Sequence, residues 1–532
     1  MKILFVFPNI DCGGYKPVGL TAVMNCCRAA GHEVKLFDTS FFDTKDIIEN
    51  KRYAGINLAG EELLNFRPVD VTGYDLVQKK TDVKEELRLM LQDFQPDVVG
   101  ASVLSVEWGL TVHLLRTVKS YNESIITVLG GVHAFADPEG SINEDSIDMI
   151  CIGEGELAFI ELLQRIEDNK DYENTHGFWV KKEGELFKNP VGQVLSDLDK
   201  LPYLDYDFYE EKLLYRVYGG KVYRSGDHVI TRGCYSKCSY CLYDKMHEVN
   251  SGNLRVRRYQ QIDRIISELV YLKKKYDLNF YRFQDATFLS ISKAYLREFA
   301  DSYAREVGLP FVVDASPQTV TDERIRALAD MGCVSISIGV ETGNEKMRYE
   351  LCNKPVKNST ILKAFNITNS YGLRTVSFLM LGFPLETVGM FWDTVNLVKE
   401  AKVKNPAIGF VYPFKGSKLR DMAIEMKLFD EEAEEKGEVG YARGYPAIYN
   451  PNISVNKYRG LMRTFCLYVK FPEKYWKEIN KAERFTDEGE KVYRKFAEIY
   501  KQEDLYDTYF PEEKLLPQAN RNEDKSFCFG EM

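Results

Sequence analysis

Thr231-Arg232-Gly233-Cys234-Tyr235-Ser236-Lys237-Cys238-Ser239-Tyr240-Cys241 puts three cysteines into one loop, directly after an apolar strand-like run at Val229–Arg232. Spaced by three and then two residues, Cys234, Cys238 and Cys241 can converge from that loop onto one metal centre. A structural zinc site wants four closed ligands, often from paired cysteines, and no second pair lies nearby. A ferredoxin cluster likewise wants a fourth cysteine. Three ligands leave one iron of a cluster open, and an open iron is a place for a substrate.

The other cysteines argue for nothing comparable. The total of 11 is odd, which speaks against a disulfide scaffold and for reduced thiols in a cytoplasmic setting. With Lys+Arg 70 against Asp+Glu 80, the net charge is −10. A general nucleic-acid binder needs a basic surface, so nucleic acid is not an expected partner. A hydrophobic fraction of 45% fits a globular chain with large cores. No apolar stretch approaches the ~18 residues of a transmembrane segment. The opening Met1-Lys2-Ile3-Leu4-Phe5-Val6-Phe7-Pro8 reads as a buried strand and not as a signal peptide.

Working outward from the cysteine loop, the 532 residues divide into four stretches. Residues 225–439 repeat strand then helix six times. Strands are expected at Val229–Arg232, Phe280–Gln284, Phe311–Asp314, Ser335–Gly339, Thr375–Met380 and Ile408–Tyr412. Six such units make a (β/α)6 partial TIM barrel, whose reactive face lies at the carboxyl ends of its strands. Residues 1–167 alternate strand-like runs (Ile3–Phe7, Val34–Phe37, Val98–Ser102, Ile126–Leu129, Met149–Ile152) with helical ones, which predicts a flavodoxin/Rossmann-like parallel sheet. Residues 168–224 are expected to be a linker, with a small hairpin through Lys182-Glu183-Gly184. Residues 440–532 read as a mainly α carboxyl-terminal cap, with helices around Tyr458–Val469 and Glu490–Tyr500. The expected fold class is α/β throughout its two larger parts.

The Cys-x-x-x-Cys-x-x-Cys loop resembles the hallmark of the radical S-adenosylmethionine (radical SAM) superfamily. The resemblance implies a 4Fe-4S cluster whose open iron is chelated by S-adenosylmethionine. One-electron reduction of that pair yields methionine and a 5′-deoxyadenosyl radical. It also implies cofactor contacts from Tyr240, before the last cysteine, and from Gln284 and Asp285 in Phe283-Gln284-Asp285-Ala286-Thr287-Phe288. Relatives often carry two acids at that second position, so Gln284 is a departure from the pattern. Glu341 and Gly343, after the fourth strand, and Gly382, opening Gly382-Phe383-Pro384-Leu385-Glu386-Thr387, resemble residues around the cofactor's ribose, amino group and adenine.

In an open parallel sheet the ligand lies beyond the strand carboxyl ends. The loops expected there are Pro8–Gly14, Ser102–Trp108, Gly130-Gly131-Val132-His133-Ala134 and Gly153-Glu154-Gly155-Glu156. None is a dinucleotide fingerprint, and no G-x-x-x-x-G-K-S/T phosphate loop occurs. Two carboxylates at a helix start would repel a pyrophosphate, whereas the glycine pairs suit close approach to a large flat ligand. The order of these loops resembles the cobalamin-binding domain fused ahead of radical SAM domains. It implies corrinoid contacts from Ser102, Ser105, Trp108, Gly130, Gly131, His133, Gly153, Glu154 and Gly155. None of the 6 histidines has an Asp two residues before it, so the Asp-x-His-x-x-Gly axial motif is absent. The Ser102–Trp108 loop is then expected under the cobalt.

Together the resemblances imply a cobalamin-dependent radical SAM enzyme. The expected reaction is methyl transfer from methylcobalamin to an unactivated carbon after hydrogen abstraction by the 5′-deoxyadenosyl radical. One alternative keeps both cofactors but performs cyclisation or rearrangement; the other is a corrinoid or iron–sulfur sensor without turnover. The expected partners are a small-molecule, lipid, tetrapyrrole or peptide substrate and a flavodoxin or ferredoxin electron donor, in a cytoplasmic, anaerobic setting.

Overall fold

Six consecutive residues, Lys2-Ile3-Leu4-Phe5-Val6-Phe7, have the composition of a strand covered on both faces. In the computed structural model, which describes residues 1–9, 16–44, 64–249, 257–435, 439 and 444–516, they form β1 (Lys2–Phe7) of the first sheet. Its other strands are β2 (Glu33–Asp38), β3 (Val98–Ser102), β4 (Ile126–Gly130), β5 (Met149–Cys151), β6 (Phe178–Lys182) and β7 (Glu185–Lys188), in the order β2-β1-β3-β4-β5-β6-β7. The first five are parallel; β6 and β7 add an antiparallel hairpin. Strand alternation sorts the core. Ile3, Phe5 and Phe7 join Leu20, Met24 and Leu162 from the helices Val18–Ala29 and Gly155–Glu167. Leu4 and Val6 join Leu87, Leu91, Leu114 and Leu115 from the helices Val83–Phe94 and Trp108–Tyr121. Because β2 and β3 flank β1 on opposite sides, the strand order reverses there and a crevice opens beyond β1 and β3.

The stretch 168–224 is less of a tether than its composition implies. Its hairpin is β6–β7, paired edge to edge with β5 through Ile150↔Trp179, so it completes the first sheet. Its tyrosine-rich end supplies β8 (Tyr215–Tyr218) and the start of β9 (Lys221–His228), which belong to the second sheet. Tyr206 is buried between the two sheets' connections, its hydroxyl donating to the Asp227 carbonyl at 2.7 Å.

The second sheet contains, besides β8 and β9, β12 (Phe280–Phe283), β13 (Phe311–Ala315), β14 (Cys333–Glu341), β15 (Arg374–Leu381) and β16 (Asn405–Phe410), in the order β16-β15-β14-β13-β12-β9-β8. Six strands are parallel, as the repeat predicts, and β8 is antiparallel. The first parallel strand is not Val229–Arg232 but Lys221–His228. The reason is local: the Asp285 carboxylate takes the N–H groups of Ile230 and Thr231, so those groups are withdrawn from the sheet. Thr231–Arg232 instead forms a short strand, β10, antiparallel to β11 (Arg258–Tyr259), and the two close the base of the cysteine loop. Phe283, Val313, Ile336, Leu379 and Ile408 face the covering helices and share one core with the inner side of the first sheet. The alternate residues face the barrel lumen.

The carboxyl-terminal stretch is helical where its periodicity predicts, at Val455–Lys470 and Asp487–Gln502. The first packs on β16 and on the helix Val388–Glu400, so it covers the outer face of the last barrel strand, on the same side as Ile408 and Phe410. No helix among the described residues is long and apolar enough to cross a membrane. Where β14 ends, Gly343 lies so close to the helix Val388–Glu400 that an added Cβ would sit 2.3 Å from the Asp393 carbonyl oxygen. Gly343→Ala is expected to cost about 2–3 kcal/mol by forcing that helix outward, read as a lowered midpoint in denaturant melts. A wild-type midpoint would contradict the close approach.

Candidate functional site

The cysteine loop is held from the far side of the barrel mouth. Ser239 donates its N–H to the Cys352 carbonyl at 3.1 Å and its hydroxyl to the Leu351 carbonyl; its own carbonyl accepts from Leu419 N–H at 2.9 Å. Asn353 donates to the Lys237 carbonyl at 2.7 Å. Within the loop, Cys241 N–H bonds the Cys238 carbonyl at 3.1 Å, and Ser236 N–H reaches the Cys234 sulfur at 3.4 Å. Cys238 is buried and Cys234 and Cys241 are half-buried, all three as free thiols. Burial pushes the Cys238 thiol up, and the Cys241 thiol up to about 11. Among the described residues no three His, Cys, Asp or Glu side chains are grouped to hold a single metal ion. Three thiols without a fourth ligand fit a polynuclear cluster, which spreads its ligands over separate irons.

Glu341 stands where the sequence places it, at the end of β14, in the left-handed region at φ 68°. Its carboxylate pairs with Lys354 at 2.8 Å, and Lys354 also donates to the Gly339 carbonyl at 2.8 Å. Tyr240 hydrogen-bonds Cys238 and feels the Glu341 charge, so the structure does bring Tyr240, Cys238, Lys354 and Glu341 together. An ammonium beside the cluster thiols offsets thiolate charge, and a carboxylate there can receive a cationic cofactor.

Gln284 and Asp285 do something else. Burial pushes the Asp285 carboxyl up to about 6, but it accepts from Thr231 N–H and Oγ1, both at 2.6 Å, and so anchors the entry to the cysteine loop. Gln284 donates to Asp227 at 2.6 Å and borders the same cavity as Arg232, Gly233 and Cys234. Gly343 packs on the helix Val388–Glu400. Gly382 (φ 91°) donates its N–H to Glu386 at 2.7 Å. Tyr458 and Asn450 complete that turn from the carboxyl-terminal stretch. Asp285, Gly343 and Gly382 thus make protein contacts that shape the mouth of the barrel, while Gln284 lines the cavity that Cys234 also borders.

Beyond the ends of β1 and β3 lies a cavity of about 500 Å³. From the first sheet it is lined by Ser102, Gly130, Gly131, Gly153, Glu154 and Gly155; from the barrel, by Arg232, Gly233 and Cys234. Both halves of the chain thus share one cavity. Gly131 makes the approach possible: at φ 87° an added Cβ would lie 2.5 Å from Val103 N. Phe5, Phe7, Val18, Leu20 and Phe159 make the rest of the wall apolar. A glycine-lined, apolar crevice of this kind fits part of a large flat ligand such as a corrin. Ser105, Trp108 and His133 form the layer beneath. The His133 ring lies 3.1 Å from Ser105 Oγ and 4.5 Å, centroid to centroid, from Trp108, and its backbone N–H bonds the Val103 carbonyl. They shape the loop and do not line the cavity. Of the expected Pro8–Gly14 loop, residues 10–14 lie outside the described residues.

Two features of the cavity are not legible in the sequence. Glu154 and Glu156 do not stand alone at their helix start. Arg258 clasps Glu154 through two contacts of 2.6 and 2.8 Å, and Arg232 bridges Glu154 at 3.3 Å and Glu156 at 2.5 Å. Burial raises the Glu154 carboxyl, yet the two guanidinium groups hold it below its ordinary value. Two unbalanced carboxylates in Gly153-Glu154-Gly155-Glu156 were the available sign that cations must arrive. The second feature is Glu107, which lines the cavity and accepts from Leu104 N–H at 2.9 Å. Burial pushes its carboxyl up to about 8.

That shift fixes a pH dependence. A carboxyl raised in the folded state binds its proton more tightly there than in the unfolded chain. Its contribution is therefore complete below the ordinary carboxyl range and is lost as pH rises through about 8. Glu107→Gln keeps the acceptor for Leu104 without titrating, so its melting temperature relative to wild type is expected to climb between pH 5 and pH 8.5. Parallel curves would contradict a buried carboxyl that folds in its protonated form.

Comparison with known proteins agrees with this arrangement. The family model of the radical SAM superfamily matches residues 228–398, and that of the B12 binding domain matches residues 63–163. The chain is 21% identical over 457 residues to the cytidylyl-2-hydroxyethylphosphonate methyltransferase of Streptomyces wedmorensis, covering 78% of this chain and 79% of that one. It is 21% identical over 448 residues to the anaerobic magnesium-protoporphyrin IX monomethyl ester cyclase of Rubrivivax gelatinosus, covering 81% and 72%. Its fold matches the cobalamin-dependent S-adenosylmethionine radical enzyme OxsB, solved with aqua-cobalamin and S-adenosylmethionine bound. The TM-score is 0.65, the identity 14%, and the match covers 95% of this chain and 72% of OxsB.

Proposed function

We propose, for a chain that belongs to the cobalamin-binding branch of the radical SAM superfamily, that it is a methyltransferase acting on an unactivated carbon. One observation carries this reading: Cys234 of the cluster loop and the glycine-lined ends of the first sheet border the same cavity. A methyl donor held in the first domain and a radical generated in the second must work on one carbon, and only a shared chamber permits that. The methyltransferase activity of the Streptomyces wedmorensis relative favours methyl transfer, and the cyclase activity of the Rubrivivax gelatinosus relative keeps cyclisation as the second reading.

Cys234, Cys238 and Cys241 would hold a 4Fe-4S cluster, Tyr240 and Glu341 would face S-adenosylmethionine, and Ser102, Gly130, Gly131 and Gly153 would border cobalamin. When bound, the cluster with S-adenosylmethionine supplies a hydrogen-abstracting radical and the corrinoid supplies the methyl group. The chain's own contribution is placement and exclusion of water. Asp285 fixes the entry to the cysteine loop through Thr231 and Ile230. Lys354 keeps the Glu341 carboxylate beside Cys238. Ser105, Trp108 and His133 stiffen the loop that carries Val103 and Leu104 to the cavity wall. The carboxyl-terminal helix Val455–Lys470 backs the last barrel strand from outside, and Tyr458 from it completes the turn at Gly382. A flavodoxin or ferredoxin would supply the electron, and a cytoplasmic, oxygen-poor setting suits the thiols.

Cys234→Ala, Cys238→Ala and Cys241→Ala are each expected to abolish the cluster's visible absorbance and all turnover. A single variant that retains turnover would remove the cluster assignment. The reaction class is read by anaerobic incubation of the reconstituted, cobalamin-loaded protein with host extract and methyl-labelled S-adenosylmethionine. S-adenosylhomocysteine and 5′-deoxyadenosine formed together with a labelled product are expected. Deoxyadenosine without label transfer would favour cyclisation, and neither product would favour a sensor.

A further inference from the structure

The lumen of the half-barrel is unusually polar for the inner face of a parallel sheet. Strand alternation turns Asp227 of β9, Arg282 of β12, Asp314 of β13 and Ser337 of β14 inward, while their neighbours Phe283, Val313 and Ile336 enter the outer core. These inward charges are not all matched. Lys16 enters beside β9, donating to the Ser225 carbonyl at 3.0 Å, and lies 3.1 Å from Asp227, and Arg216 of β8 lies 3.2 Å from the same carboxylate. With Gln284 also donating to it at 2.6 Å, Asp227 is fully engaged. Burial raises its carboxyl, but Lys16 and Arg216 outweigh that and hold it below the ordinary value.

Arg282 is left over. Its side chain is 32% exposed, makes no hydrogen bond among the described residues, and comes no closer to a carboxylate than 3.9 Å, at Asp314. Asp314 is engaged by Ser337, and burial pushes its carboxyl up, which weakens it further as a partner. Three cations therefore face two acids inside the barrel, one of them underused. A guanidinium that is partly exposed and has no protein hydrogen bond presents its N–H groups to whatever enters the lumen. Further round the wall, Phe378 of β15 is 41% exposed to the lumen between Gly339 and Ala407, which are too small to cover it. The lumen thus has a cationic side and an apolar side.

We propose that Arg282 is the anchor for an anionic group of the substrate, a carboxylate or a phosphonate or phosphate, and that the substrate's carbon skeleton lies along the Phe378 side of the lumen. The proposal rests on reading the barrel as the reaction chamber, and it narrows the substrate to an organic anion. A planar guanidinium with two free N–H edges suits bidentate recognition of an oxyanion, and the charges of Lys16 and Arg216 nearby discriminate against a cationic group.

The test is equilibrium binding by calorimetry to the reconstituted holoprotein, with phenylphosphonate, phenylacetate and the neutral benzyl alcohol as probes. At least one of the two anions should bind and the alcohol should not, and the anion that binds tells phosphonate from carboxylate. Arg282→Gln should weaken that binding about 10-fold or more, whereas Arg282→Lys, which keeps the charge, should retain part of it. Thermal melts of both variants establish that they fold. Equal binding of an anion to wild type and R282Q, binding of neither anion to wild type, or equal binding of the alcohol would overturn the proposal. So would a loss of S-adenosylmethionine binding in R282Q as large as the loss of anion binding, because the guanidinium would then belong to the cofactor. Formation of 5′-deoxyadenosine by the wild-type protein reports on the chamber reading by itself: its absence would sink that reading whatever the anions do.

Discussion

Where the cavity meets the cysteine loop, the seam between the two larger domains is fixed by one cluster of ion pairs. Glu154 and Glu156, at the start of the helix Gly155–Glu167, meet Arg232 and Arg258, which sit on the two strands that close the base of the cysteine loop. These groups are largely buried, so the pairing fixes geometry more than it adds net stability: desolvation offsets most of the attraction, while loss of one partner leaves an uncompensated charge. The bidentate clasp of Arg258 on Glu154 is directional in a way that an apolar contact would not be. Through it the carboxyl end of the first sheet is registered against the loop that carries Cys234. Lys16 with Asp227, Lys415 with Asp137 and the shared apolar core join the same domains elsewhere, and the clasp sets their relation at the cavity.

The same logic runs inward from the seam. Asp285, at the end of the second barrel strand, secures the loop at Ile230 and Thr231, and the Cys352 and Leu351 carbonyls secure it at Ser239. The cysteines are thus held at both ends by the two flanks of the barrel.

Much of this is legible in the sequence where the information is local. Three cysteines within eight residues carry their meaning in their spacing, and strand and helix repeats carry theirs in periodicity, so five of the six expected barrel strands and both carboxyl-terminal helices fall where expected. Partner choice is not local. Arg232 and Arg258 lie 78 and 104 residues along the chain from Glu154, and nothing in Gly153-Glu154-Gly155-Glu156 says which cations will come. Gln284 and Asp285 show the same limit at a strand end. Their position after β12 is right for a site, but whether a carboxylate turns to a cofactor or to a backbone N–H is decided by the loop packed against it. The first barrel strand is displaced for that reason, since Asp285 competes for Ile230 and Thr231. Arg282 is hidden by its setting in Phe280-Tyr281-Arg282-Phe283, which reads as a plain buried strand until the curl of the sheet leaves one face open.

The domains thereby share one cavity that Cys234 borders, and the charged inner face of the barrel sheet lies apart from its lining. The cavity is glycine-lined with an apolar wall and carries the ionisable groups Glu107, Glu154, Glu156, Arg232 and Arg258. In this arrangement the first sheet's loops would hold the corrinoid and the three cysteines the cluster, both bordering one cavity. The most direct measurement is the electron paramagnetic resonance spectrum of protein loaded with both cob(II)alamin and the reduced 4Fe-4S cluster. Mutual broadening or splitting of the two signals, from magnetic coupling across the cavity, is the expected result. Two superposed, unperturbed signals at full occupancy of both groups would contradict it.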